Sequence, residues 1–325
     1  MTLRRYDIHE PHDFFEYVRT DDGSIPEARR DRIDVGLLDM NHNYVNLGHD
    51  ALVHAVVEAA EPLRDELLAA SAKVRVVSFD VRRRSFLPPS DRFPIYIGTG
   101  GPGHLDPRLN DGISEWAQGV TETAEWEAPL FRLFDEILAN EETAMLAVCH
   151  SFGLVCRWSG IATPVLRAEK STGLKLNRLS REARQHPWFT RFARELPDHQ
   201  HFHVVDNRLF DLILDNAGKT MPIAFEAEGS SALTMVELAR DASGEMPRFL
   251  AFNHHPELVD REHALVVLDE KREHHEVSDE WYQERYTTIM TLFGEQERQS
   301  RLTSQYTLLE PLRHHLGRVV RSRSE

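Results

Sequence analysis

The stretch Thr143-Ala-Met-Leu-Ala-Val-Cys-His-Ser-Phe-Gly-Leu-Val-Cys156 decides the fold that we predict for this chain. Its apolar run from Ala144 to Val148 is typical of a short buried strand, and the apolar residues then recur at helical spacing. A cysteine at such a junction, Cys149, with small Ala147 and Ser151 two positions away on either side, has the form of a nucleophile elbow. The helix that follows would present free N–H groups and a positive partial charge to the sulfur, which favours the thiolate. A buried structural cysteine is the alternative interpretation.

Composition excludes several classes of partner. The 325 residues include 38 basic and 53 acidic side chains, and the net charge of −15 argues against binding to nucleic acid or to an anionic membrane surface. No run of about 20 apolar residues is present, and the N-terminus lacks the apolar segment of a signal peptide. If Cys149 and Cys156 share one helix, they lie about 10 Å apart along its axis, beyond the reach of a disulfide. We therefore expect a cytoplasmic protein with reduced thiols.

The chain up to Cys149 alternates predicted strands and helices. This order indicates an α/β fold, flavodoxin-like, with an open, mostly parallel sheet and helices on both faces. Ligands of such sheets bind at the carboxyl ends of the strands, which is where Cys149 lies. The predicted strands are 32–40, 73–81, 92–97 and 144–148, and the predicted helices are 51–70 and 129–140.

We divide the chain into three segments. Residues 1–31 form a polar N-terminal extension packed on the domain surface, and residues 32–265 form the α/β domain. Residues 266–325 form a helical C-terminal extension, in which Ser278 is a plausible N-cap of a helix that packs on the domain.

The glycine-rich loop from Gly98 to Gly103 follows the third predicted strand. It is neither a Walker loop nor a dinucleotide-binding pattern, and glycine and proline clusters often mark turns alone. A loop after a neighbouring strand would nevertheless bring a backbone N–H beside the cysteine. We expect the N–H groups of Gly101 and His150 to form an oxyanion hole for a tetrahedral intermediate.

A thiol nucleophile also needs a base, and the best candidate lies far downstream. Phe249 to Phe252 has the pattern of a strand, and the loop after it carries His254, His255 and Glu257. Pro256 fixes the backbone between the last two, so the carboxylate of Glu257 can orient the imidazole of His255 toward Cys149. A surface loop is the alternative for this motif alone.

The motifs Gly100-Gly-Pro-Gly103, the elbow at Cys149 and Phe252-Asn-His-His-Pro-Glu257, in this order, resemble the class I glutamine amidotransferases. They are most similar to the small branch that resembles the amidotransferase part of GMP synthase. The resemblance implies attack on the γ-amide of glutamine, release of ammonia and hydrolysis of a γ-glutamyl thioester. It implies these roles: Cys149 as nucleophile, His255 as base and acid, Glu257 as orienting carboxylate, Gly101 and His150 as oxyanion donors, and Gly100, Ser151, Phe152 and His203 as substrate contacts.

The elbow departs from the family pattern Gly-x-Cys-x-Gly-x-Gln. Ala147 and Ser151 are small enough for the turn, but Gly153 stands where the family has a glutamine that helps to hold the substrate. Three hypotheses therefore remain: a glutamine-hydrolysing enzyme, a hydrolase of γ-glutamyl or other amides with the same fold, and a catalytically degenerate binding or regulatory protein.

Histidine clusters raise the question of a metal. His199-Gln-His-Phe-His203 would place three imidazoles on one face of a strand, with Asp206 as a further zinc ligand. Solvated histidines are the commoner outcome, and the same holds for His9 and His12. We expect no metal and no cofactor.

The absence of two nucleotide-binding motifs indicates which partners the protein needs. It contains no Walker loop and no Ser-Gly-Gly-x-Asp-Ser pyrophosphatase signature, so the chain would not itself activate an acceptor for amination. We expect a small-molecule amide as substrate, glutamine above all, and a separate synthase subunit to use any ammonia that is released. Association into a homo-oligomer stays open.

Overall fold

The computed structural model describes residues 6–20, 23–228, 231–293 and 297–323. Ten strands in these ranges form one sheet. In chain order they are β1 (Phe15–Arg19), β2 (Arg32–Asp39), β3 (Lys73–Asp80), β4 (Ile95–Gly98), β5 (Ala144–Val148), β6 (Ala162–Leu179), β7 (His201–Leu214), β8 (Met221–Glu226), β9 (Leu233–Arg240) and β10 (Pro247–Phe252).

The strands lie in the order β1-β3-β2-β4-β5-β10-β9-β8-β6-β7 across the sheet. Every pairing from β1 to β10 in this order is parallel, and the four pairings beyond β10 are antiparallel. The predicted α/β fold with a mostly parallel sheet is confirmed. The carboxyl ends of β4, β5 and β10 are neighbours, so the segments that follow these three strands meet at one edge.

Helices cover the sheet. The predicted helix 51–70 is interrupted because Pro62 lacks a backbone N–H, and a 3₁₀ turn separates two helices there. The α-helices are α1 (Gly48–Ala60), α2 (Arg64–Ala69), α3 (Val81–Arg84), α4 (Glu127–Ala139), α5 (His150–Ser159), α6 (Phe189–Glu195), α7 (Arg261–Glu273), α8 (Asp279–Leu292), α9 (Glu297–Ser304) and α10 (Glu310–Ser322).

Apolar side chains pack on both faces of the sheet. In β5, Leu146 and Val148 belong to the cluster on one face, whereas Met145 and Ala147 belong to the cluster on the other. A strand buried on both faces has a continuous apolar sequence, which explains the run that precedes Cys149.

Elements from the N-terminal and C-terminal segments pack on this domain. The N-terminal segment supplies β1, which pairs in parallel with β3 at the sheet edge. Helix α8 begins at the predicted cap, since Ser278 Oγ accepts a hydrogen bond of 3.2 Å from the Trp281 N–H. A third apolar cluster, which includes Ile289 of α8 and Val205 of β7, fixes α8 to the domain. No helix in the described ranges has the length and apolar character needed to cross a bilayer.

Candidate active site

Cys149 occupies a sharp turn between β5 and α5. Its backbone N–H donates to the Phe252 carbonyl at 2.8 Å, so the elbow is attached to the end of β10. Its backbone angles, φ 49° and ψ −101°, lie in a region that costs a non-glycine residue about 1–3 kcal/mol. The structure therefore has the strained strand-turn-helix geometry of a nucleophile elbow, with the sulfur at the start of a ten-residue helix.

The residues beside the elbow pack tightly. A Cβ added to Gly98 would lie 2.5 Å from Ser151 Oγ, so only glycine fits at the end of β4. Ser151 Oγ donates to the Thr99 carbonyl at 2.7 Å, and Ser151 and Phe152 are both fully buried. These two predicted substrate contacts hold the elbow against β4 and the core, and they do not line the cavity described below.

His255 and Glu257 form a hydrogen-bonded pair after β10. His255 Nδ1 lies 2.7 Å from Glu257 Oε1, and Glu257 is fully buried. A Cβ on Gly48 would lie 3.0 Å from the same Oε1, which places this carboxylate against the first residue of α1. The partial positive charge of a helix N-terminus stabilises a carboxylate there.

Gly100 lies against both reacting side chains. A Cβ at this position would be 3.1 Å from His255 Cε1 and 3.8 Å from Cys149 Sγ. The imidazole and the sulfur are therefore neighbours, although their residues are far apart in sequence. His255 Nε2 is buried and has no oxygen or nitrogen partner among the described residues, which leaves this nitrogen for the thiol.

The charges around His255 favour its imidazolium form. Burial by itself would lower the pKa of His255, but the Glu257 carboxylate and the Cys149 sulfur raise it well above its ordinary value. Burial lowers the pKa of the neighbouring His254 to about 3, with a smaller contribution from His255. His254 therefore stays neutral at physiological pH while His255 takes the proton.

Buried Arg82 fixes the glycine loop. Its Nη1 donates to the carbonyls of Met40 at 2.9 Å and Pro102 at 2.7 Å. A Cβ on Gly101 would lie 2.2 Å from the Met40 oxygen, so this position also requires glycine. In the described part of the chain, the Gly101 and His150 N–H groups donate to no acceptor. Both residues line the cavity beside Cys149.

A cavity of about 330 Å³ opens beside Cys149. Cys149, His150, His255, Gly100 and Gly101 line one end of it, so the structure brings these predicted residues together. Glu257 lies behind His255, outside the lining. Further walls come from the β6–β7 pair, from α8 and from the segment between β2 and α1.

The β6–β7 wall carries charged residues that the sequence analysis did not select as substrate contacts. Lys170, Asp206 and Arg208 line the cavity. Arg208 is buried and contacts Asp206 at 3.5 Å, Asp211 at 3.2 Å and Glu226 at 2.8 Å. The only earlier signal was Asp206, which we considered as a zinc ligand.

One face of α8 forms the opposite wall. Its lining residues recur at helical spacing, which was a signal available in the sequence. The sequence predicted only that this helix packs on the domain, and its stripe mixes charged, polar and apolar side chains. The lining residues of α8 are Trp281, Arg285, Thr288, Ile289 and Leu292.

His203 lies away from this cavity. Its Nδ1 hydrogen-bonds to Gln299 Oε1 of α9, and its carbonyl accepts from Thr303 Oγ1 at 2.9 Å. The predicted substrate contact thus packs against a C-terminal helix, and it does not line the cavity.

Among the residues that the structure describes, two groups of side chains have ligand atoms close enough to hold a metal ion. Within each group the ligand atoms lie within 4.8 Å of one another. Lys271 already contacts two of these carboxylates, Asp50 at 2.5 Å and Glu276 at 2.9 Å. Neither group includes Cys149 or His255. The groups are Asp7–His9–His274 and His9–Asp50–Glu276.

The position of the family glutamine is blocked. A Cβ on Gly153 would lie 2.4 Å from Leu105 Cδ2, and both residues line the cavity. The wall here is apolar, in contrast to the amide that the resemblance would place there.

Comparison with solved structures identifies the fold. A glutamine amidotransferase from Thermotoga maritima aligns with a TM-score of 0.51 at 13% identity, over 89% of this chain and 98% of that chain. The chain has a glutamine amidotransferase fold. A glutamine amidotransferase from Methylobacillus flagellatus aligns with a TM-score of 0.48 at 13% identity, over 89% and 94% of the two chains. The predicted resemblance is confirmed for the fold.

No protein-family model matches the chain, and no curated protein matches its sequence. At 13% identity, the shared fold does not show which residues of this chain have catalytic roles.

Proposed function

We propose that this protein hydrolyses the side-chain amide of glutamine, or a related amide, through a thioester on Cys149. One observation carries the proposal. The Cys149 sulfur and the His255 imidazole both lie against Gly100. Glu257 Oε1 lies 2.7 Å from Nδ1 of that imidazole. Nucleophile, base and orienting carboxylate are the three parts of a catalytic triad.

In the first half of the reaction, the Cys149 thiolate attacks the amide carbonyl carbon. The oxygen gains negative charge, and the free N–H groups of Gly101 and His150 are the donors available to it. The imidazolium of His255 then gives its proton to the amide nitrogen, the C–N bond breaks, and ammonia or an amine leaves.

In the second half, water attacks the thioester. The neutral His255 accepts a proton from that water, and the C–S bond breaks to give a carboxylic acid and the regenerated thiolate–imidazolium pair. Glu257 keeps the imidazole oriented in both halves and stabilises its positive charge.

A second candidate is a binding or regulatory protein that retains the fold without turnover. Gly153 and Leu105 favour this candidate because the wall lacks a polar group where the family holds its substrate. Under this hypothesis the triad geometry would remain from an ancestral enzyme.

The test is glutamate release from glutamine by the wild-type protein and by Cys149→Ala. Cysteine-dependent release, together with covalent labelling of Cys149 by an electrophilic glutamine analogue, would support the enzyme. Equal, near-zero rates and no labelling would favour the binding protein. Cysteine-dependent hydrolysis of other amides, without glutamine turnover, would identify an amide hydrolase of different specificity.

If ammonia is the product, we propose that a separate synthase subunit consumes it. Purification of the tagged chain from its natural source should then recover that subunit. An enzyme that releases an amine would have no such requirement.

A further inference from the structure

Two histidines and an aspartate from distant segments of the chain meet on the protein surface. His274, which follows α7, places its Nε2 3.0 Å from Asp7 Oδ2, and the ring centroids of His9 and His274 are 4.4 Å apart. One ligand atom from each of the three residues lies within 4.8 Å of the other two. Asp7 and His274 are 267 positions apart in the sequence, so the expectation of no metal was formed without this neighbour.

The separation of two of these ligand atoms is close to that of ligands around a zinc ion. Zinc binds imidazole nitrogens and carboxylate oxygens at about 2.0–2.2 Å, so two ligands of a tetrahedral ion lie about 3.3–3.6 Å apart. His274 Nε2 and Asp7 Oδ2, at 3.0 Å, need only a small outward movement to admit an ion. Two coordinate bonds would then replace one hydrogen bond.

The three side chains are accessible and partly preorganised. Asp7, His9 and His274 have side chains that are 30%, 24% and 35% exposed, so an ion can reach them in the folded protein. Asp7 Oδ1 accepts a hydrogen bond of 2.9 Å from the His9 N–H, which fixes the first two ligands relative to each other. His12 does not join them, because its Nε2 lies 2.7 Å from the Asp7 carbonyl oxygen.

The cations near this group pair with other carboxylates. Lys271 contacts Asp50 at 2.5 Å and Glu276 Oε2 at 2.9 Å. The other oxygen of Glu276, Oε1, lies 3.9 Å from His9 Nε2, and Arg19 lies 4.0 Å from that oxygen. Within the described ranges, no lysine or arginine forms an ion pair or hydrogen bond with any of the three candidate ligands. An arriving ion therefore displaces no bound cation from them.

We propose that Asp7, His9 and His274 bind a zinc ion, which links the N-terminal segment to the end of α7. Imidazole nitrogens together with a carboxylate suit zinc, whereas magnesium and calcium prefer oxygen ligands alone. Three protein ligands leave the fourth tetrahedral position for water. None of the three residues lines the cavity beside Cys149, so the inference does not depend on the proposed function.

The first experiment is a calorimetric titration of Zn²⁺ into the untagged protein at pH 7.5. Every sample carries Cys149→Ala as a common background, because a thiolate is itself a zinc ligand. We expect one ion per chain, and His9→Gln and His274→Gln should each raise the Kd at least tenfold. The absence of binding to the background protein would overturn the proposal. Equal binding by the background protein and both variants would identify an adventitious ion only, which also overturns it.

His314→Gln is the matched control. His314 Nε2 lies 2.9 Å from Asp241 Oδ2, and its side chain is 34% exposed, so this pair resembles that of His274 and Asp7. In the described part of the chain, however, the His314 pair belongs to no group of three ligands. Its substitution should leave the Kd for zinc unchanged. Equal weakening by His314→Gln and His274→Gln would show that zinc binds surface histidine–aspartate pairs in general, and would contradict a three-ligand site.

Competition with Mg²⁺ tests the nature of the ligands. Magnesium prefers oxygen ligands and keeps several of its waters, so a large excess should leave zinc binding unchanged. Displacement of zinc by Mg²⁺ would mean that carboxylates alone hold the ion, and would refute the roles of His9 and His274.

A melting experiment tests the link between the two segments. The ligands separate when the chain unfolds, so zinc should stabilise the folded state. At a free zinc concentration of about 100 times the Kd, we expect the Tm of the background protein to rise by about 4 °C. His274→Gln should melt at the same temperature as the background protein in EDTA and should gain nothing from zinc. An equal rise in both proteins, or binding without any rise, would contradict the proposed link.

Discussion

Leu105 occupies the space into which any side chain at position 153 would extend. Its Cδ2 and Cδ1 would lie 2.4 Å and 2.6 Å from a Cβ at that position. Gly153 and Leu105 come from different segments of the chain, so the packing at this position depends on both residues.

Gly153→Gln should consequently destabilise the protein. Inserting a side chain into a packed wall typically costs about 1–3 kcal/mol, and we expect the free energy of unfolding in urea to fall within that range. The double variant Gly153→Gln with Leu105→Ala should recover at least half of the loss, because the space becomes available. A single variant as stable as the wild type would show that Leu105 moves aside without cost.

Cys149→Gly should stabilise the fold while abolishing hydrolysis. The positive φ of 49° strains any residue with a Cβ, and glycine removes that strain. We expect a gain of about 1 kcal/mol in the free energy of unfolding. Cys149→Ala is the control, since it removes the sulfur but keeps the Cβ and should show no such gain. Similar stability of the two variants would mean that the elbow is not strained.

Glu257→Gln should slow alkylation of Cys149 by iodoacetamide at neutral pH. The Glu257 carboxylate raises the pKa of His255, so its loss leaves a neutral imidazole and removes the cation that stabilises the thiolate. We expect the rate at pH 7 to fall at least tenfold. Cys156 is fully buried and should stay unlabelled in both proteins.

Glu270→Gln provides the matched control for this experiment. Glu270 is a second buried carboxylate bonded to a histidine, with its Oε2 2.6 Å from His54 Nε2, and this pair is separate from the cavity. Its substitution should not change the alkylation rate. Equal slowing in both variants would point to loosening of the fold.

Acid should weaken the fold through buried His315. Burial lowers the pKa of His315 to about 4, although its hydrogen bond to the Pro247 carbonyl opposes this. The unfolded chain binds the proton near pH 6.5, so stability is full above that pH and falls as the pH drops toward 4. At pH 5, proton binding by this histidine in the unfolded chain lowers the free energy of unfolding by about 2 kcal/mol.

The measurement is urea unfolding at pH 7.5 and pH 5 for the wild type and for His315→Gln. A glutamine can still donate to Pro247 but takes up no proton. The variant should therefore lose about 2 kcal/mol less than the wild type on acidification. Identical losses would indicate that His315 is protonated equally in both states.

The parallel half of the fold could be predicted because its signals are local. The strand at 144–148 and the cap at Ser278 agree with the structure, and β10 begins two residues before the predicted start of its strand. Each depends on a short run of apolar or capping residues. Pro62 is also a local signal, in this case of a helix break. The amphipathic stripe through residues 51–70 led instead to the prediction of one continuous helix.

The walls of the cavity could not be predicted in the same way. Asp206 of β7 and Trp281 of α8 line the same cavity because the two elements pack against each other. The sequence of neither element indicates that the other is its neighbour. His203 shows the opposite error. Its resemblance to an active-site segment suggested a substrate contact, whereas its actual partner, Gln299, lies in a helix that no motif marked.

The position of α8 in the chain has a consequence for synthesis. The ten strands of the described ranges all precede this helix, so a nascent polypeptide carries Cys149 and His255 out of the ribosome before the α8 side of the cavity has been translated. A chain stalled or cleaved between α7 and α8 would keep a reactive thiol at an open edge. Completion of the polypeptide therefore adds the α8 side of the cavity after the thiol and the imidazole have already been synthesised.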